Sequence, residues 1–316
     1  MPSAVSLFTG CGGSDAGLIE AGYSIVMAND ILPYARDVYE ANLPTTDYLL
    51  GDITEVTKFP KADILVGCYP CQGFSIGGVR EAERSINYLY REFDRALRKI
   101  RPKAFIVENV SGMVHENCEE LFRNQLTRFR LAGYNVSWKI LRATDFGVPQ
   151  ERARLFFVGI KSKLGVRYEF PRPTHAREVF CESGIELCPT IADAIDDLPL
   201  WPDGEYDQQP FHWYYLSRNR YRNWNDVSKT IVANSRHMPL HPISPRLKRL
   251  STDEWRFVKK APARRLSYRE GARLQGFKRD MHFPDSAGLR MKYRVVGNAV
   301  PPPIFCAVAK ALPDIW

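Results

Sequence analysis

Ala4-Val5-Ser6-Leu7-Phe8 runs straight into Thr9-Gly10-Cys11-Gly12-Gly13-Ser14-Asp15-Ala16-Gly17-Leu18 near the start of this 316-residue chain. The first stretch reads as a short buried strand and the second as a glycine turn that opens a helix. The same alternation returns along the first half. Ser24-Ile25-Val26-Met27-Ala28 is a second strand, ending at Asn29-Asp30. Asp63 to Val66 is a third, and Ala104-Phe105-Ile106-Val107 another, ending at Glu108-Asn109-Val110. Helical segments fill the gaps, most clearly 88–100, and Leu155-Phe156-Phe157-Val158-Gly159 is a later, strongly apolar strand. Strand and helix in alternation predict a doubly wound, Rossmann-like α/β domain.

After about residue 165 the rhythm fails. Prolines become frequent (Pro171, Pro173, Pro189, Pro199, Pro202, Pro210), and aromatics and arginines cluster in Phe211-His212-Trp213-Tyr214-Tyr215 and Arg218-Asn219-Arg220-Tyr221-Arg222. This predicts a second, smaller and irregular domain over 171–287. Residues 1–170 and 288–316 then form the first domain, with a last apolar helix, Pro303 to Leu312, returning to it.

Net charge is +8, unevenly spread: residues 208–279 carry 17 Lys/Arg against 4 Asp/Glu, whereas 182–207 holds eight acids and no Lys or Arg. A basic block in an otherwise slightly acidic protein is the electrostatic footprint of a polyanion site, and equally of a solvated surface. Seven cysteines at irregular positions do not form a disulfide framework. No signal peptide is visible and no apolar segment reaches membrane-spanning length. The expected place is the cytoplasm, with reduced thiols and no membrane partner.

Gly10-x-Gly12-Gly13 would let a nucleotide-like ligand approach the backbone closely, although it lacks the spacing of dinucleotide binders. Asp30 ends the second strand where an acid commonly meets ribose hydroxyls, and Gly51-Asp52-Ile53 offers a second acid. Two acids without a basic phosphate clamp favour an adenosyl ligand lacking phosphates. S-adenosyl-L-methionine fits that better than NAD. Gly67-Cys68-Tyr69-Pro70-Cys71-Gln72-Gly73-Phe74-Ser75 follows a strand and hands the thiol of Cys71 to a loop, a natural place for a nucleophile. Cys68-x-x-Cys71 could also be a redox pair or half a zinc site. Cys181 and Cys188 have the wrong spacing to complete a metal site, and a thioredoxin-like role needs another layout. Glu108 at a strand end is a candidate acid. Gln150, Arg152 and Arg154 alternate, which would put all three on one face of a strand.

Six segments in order now resemble one family, the DNA (cytosine-5) methyltransferases of prokaryotic restriction-modification type. They are Ser6 to Gly13, Asp63 to Ser75, Glu108-Asn109-Val110, Gln150 to Arg154, Arg265 to Phe277, and Gly297-Asn298-Ala299-Val300-Pro301. The resemblance implies a catalytic and cofactor-binding first domain and a target-recognition second domain. It implies Cys71 as the thiolate that attacks C6 of cytosine, Glu108 holding N3 and the exocyclic amine, and Arg152 and Arg154 positioning the base and the catalytic loop. Phe8, Asp30, Ile31, Asp52, Ile53, Pro70, Leu89, Asn298 and Ala299, with Gly10, Gly12 and Gly13, would line the cofactor site, with S-adenosyl-L-homocysteine as the product. The base would be flipped from duplex DNA, and the loop 75–88, with Gly77 and Gly78, would close over it. Three departures stand out: Asp30 where the family usually has Glu, Ser6 where an acid is frequent, and no Asp-x-Arg-Gly pattern between Arg80 and Asn87.

Between the fourth and fifth segments, Ser217-Arg218-Asn219-Arg220, Trp224-Asn225, Thr230-Ile231-Val232, Arg236 and His241-Pro242 resemble the recognition stretch of the HaeIII methyltransferase, which acts on GGCC. Ser235 stands where that relative has Gly. Arg218, Arg220 and Arg236 are then the expected base readers, since an arginine fork suits guanine O6 and N7, or else phosphate contacts. Ser75 and Thr230 would be further DNA contacts. One polypeptide carries every motif, so a monomer suffices; a cognate restriction endonuclease would act on the same site without a stable complex. A transfer-RNA cytosine-5 methyltransferase is the first rival, without the Cys-Phe-Thr tripeptide usual there. A catalytically silent DNA-binding paralogue is the second, with Cys71, Glu108, Arg152 and Arg154 counting against it. The glycine spacing disfavours a flavin or nicotinamide oxidoreductase.

Overall fold

The computed structural model describes residues 1–70, 88–178, 184–252 and 254–316, without the side chains of Asn117 and Tyr214. The chain forms two compact units. The first comprises Met1–Arg142, Ala153–Arg172 and Ile304–Trp316; the second, Ala143–Arg152 and Pro173–Pro303.

The first unit is built on a seven-stranded sheet. Its members are β1 (Ser3–Leu7), β2 (Ser24–Asp30), β3 (Tyr48–Leu50), β4 (Ile64–Gly67), β5 (Ala104–Val110), β6 (Tyr134–Arg142) and, after a two-residue β7 (Gln150–Glu151) in the second unit, β8 (Ala153–Lys161). The order is β3-β2-β1-β4-β5-β8-β6. Strands β1 to β5 run parallel, and β8 pairs antiparallel with both β5 and β6. Val5, Leu65, Phe105 and Phe157 are fully buried, as expected where helices cover both faces and strands read as apolar runs. Helices α1 (Gly13–Glu20), α2 (Pro33–Asn42), α3 (Tyr90–Ile100) and α4 (Glu119–Leu131) follow β1, β2, β4 and β5. The strand order reverses at β1, which pairs with β2 on one side and β4 on the other. In open α/β sheets ligands bind outside the carboxyl ends of strands at such a point. The expected doubly wound fold is therefore present, and its strands end where the candidate residues begin. The final helix does return to this unit: Tyr168 Oη donates to Val308 O at 2.8 Å, and the Phe156 and Phe305 rings meet at 6.0 Å.

The second unit is held by short elements. Strand β7 pairs with Ser228–Lys229, and Leu247–Arg249 forms a hairpin with Trp255–Phe257. Its helices include Ile191–Ile195, Tyr268–Leu274 and Leu289–Asn298. The boundaries differ from the expected 171–287. Residues 143–152 and 288–303 fold with the second unit because Arg152 anchors them, as described below. Gly297 makes the approach possible: a Cβ there would lie 2.2 Å from both Val232 C and Ala233 N.

Candidate active site

Backbone geometry at the end of β1 is set by the turn that follows. Phe8 adopts φ 59° and Gly10 φ 56°, a left-handed region that costs a non-glycine residue about 1–2 kcal/mol. Four bonds hold this turn. Thr9 N donates to Asn29 O at 3.1 Å, and Gly12 N to Thr9 O at 3.0 Å. Gly10 N donates to Asp30 Oδ2 at 2.9 Å, and Tyr48 Oη to Gly10 O at 3.3 Å. Asp30 Oδ1 also accepts from Leu32 N at 3.0 Å. The carboxylate thus ties the turn to the end of β2. Among the described residues nothing lies within 4 Å of a Cβ built on Gly10 or Gly51. Ile31 beside them is 59% exposed. An acid, glycine backbone and an exposed apolar side chain fit a nucleoside-like group. Asp52 is partly committed, capping the following turn through Thr54 N at 2.9 Å. Phe8 and Leu89 pack against the apolar cluster that contains Ile53, Tyr69 and Tyr90, so these cofactor candidates converge in one unit. Asn298 and Ala299 belong to the second unit.

A second constellation sits at the ends of β4 and β5. Register makes it. Arg154 lies opposite Val110 across the antiparallel β5–β8 pair, so it shares a sheet face with Glu108, two residues back. Its Nε reaches Glu108 Oε1 at 2.9 Å, and both side chains are buried. Burial lowers the Arg154 pKa, and Glu108 opposes that shift. The next residue, Asn109, donates from Nδ2 to Tyr69 O at 3.2 Å, tying the end of β5 to the end of β4. Tyr69 is itself held by Gln125 Oε1 at 2.5 Å. Cys68 is an inert thiol: burial first, then Glu108, pushes its pKa well up. Pro70 is the last described residue there; Cys71 and Ser75, with the loop 75–88 up to Asn87, lie outside the described residues.

Gln150, Arg152 and Arg154 do not share one strand face. Gln150 ends up in β7, Arg154 in β8, and Arg152 between them. The chain passes from one unit to the other here, which breaks the alternation. Gln150 Oε1 accepts from Ile231 N at 2.9 Å. Arg152 donates to Ile231 O, Gly297 O and Ala299 O at 3.2, 3.3 and 2.9 Å. It clamps the backbone on both sides of Asn298.

Of the expected base readers, Arg218 and Arg220 are exposed and Arg236 half-buried. Among the described residues none of the three makes an ion pair. Arg222, two positions beyond Arg220, is instead spent on Glu151 at 2.8 Å, which also takes Lys229. The Arg236 guanidinium lies 4.9 Å from the Tyr215 ring centre. His237 has its pKa lowered by burial and then by Arg218, Arg236 and Arg265, a gathering of cations that suits an anion. Thr230 donates to Glu151 O at 2.6 Å, so its hydroxyl proton is already committed.

Two of the buried carboxylates that the sequence does not mark as site candidates are held by converging donors. Asp15, in the first turn of α1, accepts from Ser6, Thr9, Ser14 and Tyr39 hydroxyls at 2.5, 2.7, 3.0 and 2.8 Å. Glu270 takes both arms of the Arg264 guanidinium at 2.8 and 2.6 Å and caps its helix through Ser267. The Ser-x-x-Glu spacing at 267–270 was the available signal for the second; nothing local marks the first.

Comparison with known proteins gives the family and the fold. The family model described as C-5 cytosine-specific DNA methylase matches residues 3–314. The type II methyltransferase M.BspRI of Lysinibacillus sphaericus is 36% identical over 303 residues, covering 93% of this chain and 70% of the relative. M.FnuDI of Fusobacterium nucleatum is 34% identical over 324 residues, covering 98% and 94%. A mutant of Spodoptera frugiperda DNMT2 shares the fold with a TM-score of 0.71 at 16% identity, over 98% of this chain and 99% of that one.

Proposed function

The chain belongs to the C-5 cytosine-specific DNA methylase family and is a DNA cytosine-5 methyltransferase, and from that premise we propose a covalent mechanism centred on Cys71. The observation that supports it is the Glu108–Arg154 pair at the end of β5, one residue from the Asn109 bond to Tyr69 O. That bond fixes the chain at Tyr69, two residues past the end of β4 and two before Cys71.

In this reading S-adenosyl-L-methionine is the cofactor, and when bound it supplies an electrophilic methyl group on sulfur. Phe8, Gly10, Asp30, Ile31 and Ile53 would hold it. The Cys71 thiolate bonds to C6 of a cytosine extruded from the duplex, since C6 is shielded inside the stack. Glu108 holds N3 and the exocyclic amine as electrons move into the ring, and Arg154 fixes the Glu108 carboxyl. C5 becomes a carbon nucleophile and gains the methyl group. Loss of the C5 proton to solvent then expels the Cys71 thiolate and restores the C5–C6 double bond. Splitting one difficult substitution into addition and elimination is the gain from covalent catalysis.

The target is a short GC-rich duplex site, GGCC in the simplest case, read by Arg218, Arg220 and Arg236. The relatives' type II designation favours a restriction endonuclease acting on the same site, with no stable complex between the two. Among the described residues no helix is long and apolar enough to cross a membrane.

The test is methyl transfer to unmethylated plasmid, read by single-base 5-methylcytosine sequencing. Modified cytosines in one short context are expected. Cys71→Ala abolishes them, and Glu108→Gln lowers the rate about 10²–10⁴-fold, the range for losing a positioned proton-handling group. Undiminished methylation by Cys71→Ala sinks the covalent mechanism.

A further inference from the structure

Among the described residues of the first unit, Asp15 is the one carboxylate that the mechanism leaves unused while the fold buries it completely. An isolated buried charge is costly, and removing it would be the simple solution. Instead four hydroxyls converge on it, and each comes from a different part of the surroundings. Ser6 is the penultimate residue of β1, Thr9 belongs to the strained turn, Ser14 opens α1, and Tyr39 lies on α2. Among the described residues no cation takes part. Thr9 is the informative donor. It sits between Phe8 and Gly10, the two residues with left-handed backbones, and its Oγ1 is 2.7 Å from Asp15 Oδ2. Gly12 closes the turn against the Tyr39 ring, with a built Cβ 2.9 Å from Tyr39 Cδ2. The Tyr39 hydroxyl that reaches Asp15 is thus the far end of the wall on which the turn rests.

We infer that Asp15 is a positioning residue: through Thr9 it holds the Phe8–Gly12 turn in the strained shape that admits the adenosyl cofactor. The inference rests on the cofactor site proposed above. Asp15 touches no ligand in this scheme. It sets the shape of the turn that does, and Asp30 holds the same turn from the other side through Gly10 N. Ser6, standing where the family often has an acid, is consistent with this. A carboxyl group there would crowd Asp15 across the 2.5 Å now spanned by a hydroxyl bond, so this chain keeps a single carboxyl group under the turn.

The test uses the full chain, with S-adenosyl-L-homocysteine as the probe in titration calorimetry. Thr9→Val removes the tether and leaves Asp15 with its other three donors. We expect its Kd for the probe to rise at least tenfold, with KM for S-adenosyl-L-methionine rising in parallel and kcat falling less than threefold. Thr9→Ser, which keeps the hydroxyl, restores the wild-type Kd. Asp15→Asn shows the same rise in Kd. Affinity for plasmid DNA by gel shift stays unchanged in all three. Wild-type affinity for the probe in Thr9→Val overturns the inference, even if Asp15→Asn fails to fold. A melting temperature that drops in Thr9→Val without any change in Kd also overturns it, because it marks a purely structural bond. Failure of the wild-type protein to bind the probe at all overturns the cofactor site itself, and the inference with it.

Discussion

Asp15 under the glycine turn and Glu270 in the second unit are both buried carboxylates, and they are neutralised in opposite ways. Glu270 receives a bidentate arginine and a backbone N–H from Ser267 at 2.7 Å. Arg264 is in turn held by Leu200 O at 2.6 Å and lies 5.3 Å from the Tyr206 ring centre. Asp15 receives four neutral hydroxyls, and burial pushes its pKa up against their combined pull. A fork of opposite charge locks one geometry. A ring of rotatable hydroxyls satisfies a charge while letting each donor belong to a separate element. The first suits a fixed core; the second suits a turn whose shape must be tuned from several sides at once.

The largest effect should come from breaking the locked pair. Arg264→Leu leaves Glu270 buried without its cation and should cost about 3–5 kcal/mol in chemical denaturation. The double variant Arg264→Leu/Glu270→Leu should recover most of that loss, since an apolar pair of similar volume carries no uncompensated charge. A single variant within 1 kcal/mol of the wild type would show that the pair contributes nothing to the second unit and would end the contrast with Asp15.

His241 sharpens the same comparison at intermediate size. It lies 3.6 Å from Glu270, yet its pKa falls to about 3 through burial and then through Arg264. The guanidinium has already claimed the carboxylate, so the imidazole is neutral in the folded protein. Its ordinary value is 6.5. Between that value and the folded one the unfolded chain binds a proton that the folded chain refuses. Stability therefore falls as pH drops below 6.5, by at most about 1.4 kcal/mol per pH unit from this group. His241→Gln should flatten the slope between pH 6.5 and 5.5. A slope that rises toward acid and disappears in His241→Gln would mean a charged histidine paired with Glu270 instead.

These side chains also show how far the sequence could be read. Apolar runs such as Ile64–Val66 and Ala104–Val107 announced central strands, because a strand buried on both faces has no other composition. The glycine turn, Asp30 and Glu108 were visible because each follows such a run directly. What stayed hidden depends on register or on distant partners. Antiparallel insertion of β8 is what brings Arg154 to Glu108, and no local pattern separates it from a parallel strand. Arg152 and Arg154 looked equivalent, but the chain crosses between units at that point, and Arg152 goes to Gly297 and Ala299 instead. Asp15 drew no notice, since three of its four donors lie within nine residues and look like ordinary turn polarity.

A comparison that ends on the smallest expected effect, that of Ser14→Ala, tests whether the hydroxyl ring is shared evenly. Tyr39 is fully buried, and its hydroxyl donates to Asp15 Oδ2 at 2.8 Å across 24 residues. Ser14 is the immediate neighbour of Asp15 in the chain and donates at 3.0 Å. Tyr39→Phe loses a bond that closes a long segment and leaves a carboxylate oxygen with one donor fewer, an effect of about 1.5–3 kcal/mol if Asp15 is ionised. Ser14→Ala loses a bond between adjacent residues that folding hardly needs to organise, and should cost about 0.5 kcal/mol, at the low end for a hydrogen bond. A protonated Asp15 would reverse part of this, because one of the four hydroxyls would then accept instead of donate. Its raised pKa gives the sign: stability from this group is present at low pH and is lost as pH rises through the folded value. The penalty of Tyr39→Phe should therefore grow with pH over that interval. Denaturation of the two variants at pH 5 and pH 8 measures it, and equal penalties at both values would mean that Asp15 holds one protonation state throughout.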